Sequence, residues 1–419
     1  MAFLRLGPKR VPQAIVVAPF RDDRRGRRPL RRAIGFATLA VFCLIYGLIY
    51  GFVTPYLIVP LLVPVGVLGL IVIWALPDLD RAPTKALGGL FFATLVLGAV
   101  WPNYLCIALP GLPWITVVRI TSFPMAVILL ICVSASPEFR DRTAQVLKAT
   151  PILLWLVVAF TVLEVVSVGF STDVGDSLQK LVVALVGWTA MFFASAYLFS
   201  CEGRMKAWAA TMWAMAIGLG VLCCDEYHAR HILWAGHIPH FLQVSDELMK
   251  RYLAGFGRNY TNEYRTKGTF TTPLGMGEFF ALAMPFVIQF VLGEYRTRTR
   301  ILAGLSAAFL FIPILFTGSR TGMIGYFMAI MLYLPIWGLQ RWRRGDLLGP
   351  AVVLGYPAIG AVFLAATFVI GHLRRIVWGG GETASSNQGR YDQYHMAVPK
   401  VLHHPWGYGI GRGGITLNY

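Results

Sequence analysis

The chain has 419 residues, 57% of them hydrophobic and only 14% charged, with a mean hydropathy of +0.63. That composition excludes a soluble multidomain enzyme and describes an all-α polytopic integral membrane protein. The formal net charge of +17 suggests nucleic acid until the cations are located. They flank apolar runs, with no aromatic platform or nucleic-acid fold beside them, so no nucleic-acid partner is expected.

Ten of the 37 Lys and Arg residues lie in the first 32 positions, including RDDRRGRRPLRR at 21–32, directly before the first apolar run. They read as a cytoplasmic flank attracted to anionic membrane lipids. The run that follows is long enough to span and lacks a small-residue cleavage site, so it is a first helix and not a removed leader. Eleven apolar stretches are long enough to cross about 30 Å of hydrocarbon. They lie near 33–53, 54–76, 86–109, 113–134, 151–171, 178–200, 206–224, 273–293, 301–317, 321–339 and 351–371.

With the basic tail inside, Arg81, Lys85, Arg140, Arg142, Lys148, Arg204, Lys206, Arg296, Arg298, Arg300, Arg341, Arg343 and Arg344 fall in inner connections. The three short outer turns carry no Lys or Arg. The expected orientation is therefore N-terminus inside. The expected domains are a basic tail (1–32), helices one to seven (33–224), a long outer loop (225–272), helices eight to eleven (273–371) and a second long outer loop (372–419). Each loop has a possible short helix. One follows Ser245; the other opens at Asn387, runs through RYDQYHMAV and ends or kinks at Pro399. All eight histidines lie in the two loops, whereas the six cysteines lie in or at the ends of helices, with no disulfide or zinc pattern.

Arg119, Glu164, Lys180, Glu278 and Arg320 fall within or between spans, each within about 10 Å of the outer end of its helix. Charge there is expensive and marks function by default. For Arg119 and Lys180 a second reading stays open, that they snorkel to the interface, and for Glu164 or Glu278 that it neutralises a neighbour. A transporter would concentrate such groups at the midplane. A layer at the outer interface suits an enzyme holding a lipid-linked substrate.

Three polar segments stand out: TGSRTG (317–322) opening a helix, RTKGTFTTPLGMGEFFALAMP (265–285), and Arg390 followed by HHPWGYGIG. In this order they resemble the O-antigen ligase and polymerase family of bacterial envelope glycan assembly. The likeness is carried by the C-terminal half and, in the first half, mainly by hydropathy. It implies a membrane glycosyltransferase that takes an oligosaccharide from a polyprenyl-diphosphate carrier on the periplasmic side and adds it to a glycan or lipid acceptor. It also implies arginines that recognise the diphosphate. The partners implied are that carrier, the acceptor, membrane lipids and other polysaccharide assembly proteins; neither cofactor nor metal is expected. Arg320, Arg265 and Arg390 are the leading clamp candidates, with Arg119 and Lys180 as supports, because guanidinium groups grip diphosphate oxygens bidentately. Ser319 and Glu278 are further candidates for binding the diphosphate or glycan, and Gly409 and Gly411 let backbone N–H groups approach an anion. His403 or His404 is the candidate base for the acceptor hydroxyl; the alternative is a loop turn whose imidazoles bond backbone. Arg390 and His403, thirteen residues apart, are about 20 Å apart in a continuous helix and meet only if Pro399 turns the chain. The family places a further helix beyond this loop, often opened by a His-Asn pair. The chain ends at ITLNY, so the last helix is expected to be missing, by truncation or by loss.

Rival readings are weaker. The Asp-x-Asp of PDLDR lies in a short inner turn without a nucleotide-binding domain. His228, His231, His237 and His240 have spacings that suit zinc, in a segment that equally suits packing on the membrane surface. The alternative class is a transporter or flippase of lipid-linked glycan.

Overall fold

The structure, a computed structural model, describes residues 58–77, 82–108, 114–242, 264–371 and 384–416, with scattered residues of 41–47, 253–257 and 374. The basic tail, most of the predicted span 33–53, Asp78, Asp80 and Ser245 lie outside the described residues. Contacts divide the chain into Met1–Pro64 and Val65–Tyr419. The first unit is described only at helical residues within 41–47 and 58–64, and the packing and site geometry below concern the second.

The helices are α1 (Ile58–Trp74), α2 (Thr84–Val100), α3 (Val117–Ala135), α4 (Pro137–Ala149), α5 (Pro151–Gly169), α6 (Val174–Phe199), α7 (Arg204–Ala229), α8 (Pro273–Leu292), α9 (Thr297–Thr317), α10 (Arg320–Arg343), α11 (Leu348–Val369) and α12 (Ala384–His403). The membrane reading holds: among the described residues eight helices, α3 and α5 to α11, are long and apolar enough to cross a bilayer. They coincide with the last eight of the eleven expected spans. Two differences from expectation lie in the first half of the chain. Helix α2 stops at Val100, because the chain turns extended at Trp101 and enters a two-residue antiparallel pair, Cys106–Ile107 (β1) with Ile115–Thr116 (β2). The connection carrying Arg140, Arg142 and Lys148, expected to be an inner one, is itself a helix, α4. Ser136 caps it, Pro137 starts it, and Phe139, 1% exposed, packs on Tyr197 with ring centroids 4.2 Å apart.

Helix α8 is the centre of the bundle. Met276, Phe280, Ala283, Met284 and Val287 are fully buried on it, against Leu310 and Ile314 of α9 and Tyr326 of α10. Small residues let α10 come close: a Cβ on Gly322 would meet the Gly277 backbone at 2.9 Å, and one on Gly325 would meet Ala281 at 2.8 Å. A second core joins α2, α3, α4 and α6 through Leu87, Phe91, Met125, Cys132, Phe139 and Leu198.

Successive spans reverse direction, so alternate connections gather at opposite ends. One end is tied by Thr269 Oγ1 to Ala99 O (2.6 Å), Thr266 N to Phe316 O (3.1 Å) and Thr172 N to Tyr408 O (3.2 Å). The other end carries the clustered cations, including the Arg142–Ser200 bond (3.1 Å) and the exposed Arg344–Glu294 pair (3.4 Å). Arg265, Ser319, Arg320, Lys180, Gly409 and Gly411 belong to the first end.

Candidate functional site

The TGSRTG segment makes the tightest turn at that end. Gly318, at φ +58°, closes α9 in the left-handed region, and Ser319 caps α10 by accepting the Gly322 N–H at 3.1 Å. Thr317 donates to Ile314 O (2.7 Å) and accepts the Ser319 N–H (3.2 Å), and both side chains are buried. Arg265 grips the turn from outside, its Nε donating to Thr317 O at 2.8 Å and its Nη2 to Gly318 O at 3.3 Å. Arg320, half-buried, opens α10 directly after this locked turn. Of the leading clamp candidates, Arg265 and Arg320 are thus brought together at this turn, with Ser319 as its cap, whereas Arg390 lies on α12. Glu278 follows Gly277 on α8, and its side chain is exposed.

Behind Arg265 lies a pair that the sequence reading missed. Glu226 of α7 is 1% exposed, and so is Lys267. The carboxylate of Glu226 accepts the N–H of Lys267 (3.2 Å), the N–H of Gly268 (2.7 Å) and the hydroxyl of Tyr264 (2.9 Å), fastening both sides of Arg265. The Lys267 ammonium lies 5.8 Å from the Tyr104 ring centroid, and Tyr104 accepts from Trp234 Nε1 at 2.9 Å. Burial lowers the Lys267 pKa to about 8, with the charge of Glu226 opposing that drop. Burial likewise pushes Tyr104 up to about 12. Apolar length alone ends this span near 224 and leaves Glu226 to a loop, whereas α7 continues to Ala229.

A second cluster forms where the GYGIGRGG segment docks on the start of α6. Lys180 Nζ bonds Asp176 at 2.7 Å and the Gly411 carbonyl at 3.3 Å. Arg412 donates to Thr172 Oγ1 (3.2 Å) and pairs with Asp176 (3.5 Å) and Asp173 (3.8 Å). The glycines are needed for close approach: at φ +103° a Cβ on Gly409 would lie 2.6 Å from Ser177 Oγ, and at φ +72° one on Gly411 would lie 2.8 Å from Lys180 Nζ. Trp406 stacks on Phe170 with centroids 5.9 Å apart. Lys180, Gly409 and Gly411 are therefore one unit. With Arg119, whose Nη1 donates to Trp114 O, Lys180 lines a groove of about 600 Å³ between α3 and α6.

The structure does not bring Arg390 to His403. Helix α12 begins at Ala384, before Asn387, and runs through Pro399 to His403, so the expected end at Pro399 is not seen. His404 N–H still reaches Lys400 O at 2.9 Å. The thirteen-residue interval remains helical, about 20 Å long, and Arg390, His403 and His404 are all exposed. Of the histidines weighed for zinc, His228 and His231 direct Nδ1 to the carbonyls of Cys224 and Ala229, each at 2.8 Å. Among the described residues no group of three or more His, Cys, Asp or Glu is placed to hold a metal.

No curated protein and no solved structure matches the chain. A family model described as O-antigen ligase matches residues 305–419, from within α9 through the Arg320 turn and the docked glycine segment. Arg265 and the Glu226–Lys267 pair lie outside the matched residues. The resemblance drawn from TGSRTG and HHPWGYGIG is borne out, and over residues 305–419 this helical membrane protein matches the O-antigen ligase family.

Proposed function

We propose that the protein transfers an oligosaccharide from a polyprenyl-diphosphate carrier to a glycan or lipid acceptor at the periplasmic face of the bacterial inner membrane. The observation that carries this reading is the locked turn presenting Arg320 at the start of α10, inside the matched residues. A guanidinium held there is suited to a diphosphate: it offers paired N–H donors and balances the charge that grows as the leaving group departs. Arg265 already has two donors on the turn, so its first role is to hold Arg320 in place. In the transfer, the bond between the anomeric carbon and the phosphate oxygen breaks with its electron pair leaving on the diphosphate. The acceptor oxygen bonds to the same carbon, and its proton passes to a base. His403 or His404 is the proposed base; Arg390, about 20 Å along the same helix, then lies toward the carrier or glycan instead of the reacting carbon.

The test is incubation of the purified protein, in its longest native form, with a polyprenyl-diphosphate oligosaccharide and a candidate lipid acceptor, with products read by mass. A ladder of repeats means polymerase, and a single glycan on the acceptor means ligase. Arg320→Ala is expected to abolish both, and unchanged turnover removes Arg320 from the mechanism. No transfer combined with carrier movement across vesicles overturns the enzyme reading in favour of a transporter.

A further inference from the structure

The groove between α3 and α6 shares no residue with the Arg265–Arg320 turn, and its lining changes character along its length. Arg119 is the third residue of α3, and Asp176 is the third of α6. Together with Gln179 and Lys180 they make one end polar; farther along α6 the lining is Val183, Ala184, Gly187 and Trp188. From Asp176 to Trp188 is twelve residues, about 18 Å of helix. A polar mouth at the helix ends and an apolar wall running into the bilayer are the shape of an amphiphile.

The charges say which kind. Asp176 is taken by Lys180 at 2.7 Å and by Arg412 at 3.5 Å, and Asp173 by Arg412 at 3.8 Å. Arg119 adds a further cation to the groove, and among the described residues no carboxylate pairs with Arg119. A half-buried guanidinium near the end of a membrane helix favours an anion, and in a bilayer the anion that arrives with a hydrocarbon chain is a lipid phosphate. The wall is shaped for such a chain. Residues Leu185–Ala190 form a π turn inside α6, a local widening that helices often keep at binding sites. A Cβ on Gly187 would meet nothing within 4 Å, Trp188 is 74% exposed, and Thr189 ties the turn to Thr161 of α5 at 3.1 Å. A volume of about 600 Å³ is ample for a headgroup with the first part of its chain.

We propose that this groove is a separate site for an anionic, phosphate-bearing lipid, with the phosphate on Arg119 and the chain lying along Val183, Ala184 and Gly187 toward Trp188. The site does not rest on the transferase reading, and its test needs no transfer.

The experiment uses the full chain in nanodiscs and a phosphatidic acid carrying a photoactivatable group on its acyl chain; the matching diacylglycerol is the control. Labelled peptides are mapped by mass. Phosphatidic acid is expected to label residues 183–188 about tenfold more than the diacylglycerol, a ratio equivalent to about 1.4 kcal/mol. Arg119→Gln is expected to erase that preference, while Arg320→Gln leaves the labelling of 183–188 unchanged. Gly187→Leu, at a position with open space for the new side chain, is expected to block the groove while the protein still folds. Equal labelling by the two lipids overturns the site and leaves passive bilayer contact. Preferential labelling that survives both Arg119→Gln and Gly187→Leu places the lipid elsewhere. Complete displacement by millimolar inorganic phosphate overturns the lipid assignment in favour of a simple anion site.

Discussion

Gly277 of α8 lies so close to Ser319 that a Cβ built on the glycine would sit 2.7 Å from the serine Cβ and 3.0 Å from its hydroxyl. Because Ser319 caps α10 and Arg320 follows it, this contact sets where that arginine stands. Gly277→Ala should push the cap off its N–H partner and lower stability by about 1–3 kcal/mol, the usual cost of overpacking. Gly236→Ala, where a new Cβ meets nothing within 4 Å, should be neutral. Thermal unfolding of the two variants in detergent makes the comparison. An unchanged midpoint for Gly277→Ala means that the turn yields and does not position Arg320 rigidly.

The docked glycine segment allows backbone strain to be separated from collision. Gly407, Gly409 and Gly411 all have positive φ, at +79°, +103° and +72°, but only the last two have neighbours where a Cβ would go. Gly407→Ala should cost only the left-handed penalty, about 1 kcal/mol. Gly409→Ala and Gly411→Ala should also undock the segment from Ser171, Ser177 and Lys180. Hydrogen exchange at the Thr172 amide, bonded to Tyr408 O at 3.2 Å, reports this: fast exchange is expected in those two variants alone. Equal protection in all three disproves the docking role.

The parts of the molecule legible in the sequence were those governed by local rules. Apolar length located the eight spans seen among the described residues, and the Gly-Ser-Arg-Thr-Gly turn was readable because each residue has a backbone reason to be there. The Lys180–Gly411 contact joins residues 231 positions apart; single-sequence reading could nominate both residues but not pair them. Glu226 was missed for a different reason. An acidic residue at the end of an apolar run looks like the start of a loop, and only three converging donors from 264–268 show that it is buried. Pro399, expected to end or kink its helix, does not end it, since a proline weakens a helix without always terminating it.

The three donors on Glu226 set the expected scale of its variants. Glu226→Gln keeps one acceptor but turns an N–H₂ toward a backbone N–H, leaving at least one buried donor unsatisfied, a loss of about 1–3 kcal/mol. Glu226→Ala also removes the carboxylate charge that favours the buried Lys267 ammonium, so the loss should rise to about 3–5 kcal/mol. Adding Lys267→Met to Glu226→Ala should recover part of that loss. A double-mutant cycle with no coupling shows that the two residues do not act as a pair.

Lys267 also predicts how stability responds to pH. Burial disfavours its ammonium in the folded protein, and the attraction of Glu226 only partly compensates, so the folded pKa is about 8 against 10.5 for an ordinary lysine. Below pH 8 both folded and unfolded chains hold the proton, and this group adds no slope. Between about pH 8 and 10.5 the unfolded chain holds more protons than the folded one, so raising the pH favours folding at this site. The sign is opposite to that of a lysine stabilised by an exposed ion pair, whose contribution fades at high pH. Thermal midpoints of wild type and Lys267→Met, compared from pH 7 to pH 10, isolate the effect from all other titrating groups. The wild type should gain on the variant as pH rises above 8; a constant difference, or one that moves the other way, means that Lys267 is held as a stabilised ammonium throughout.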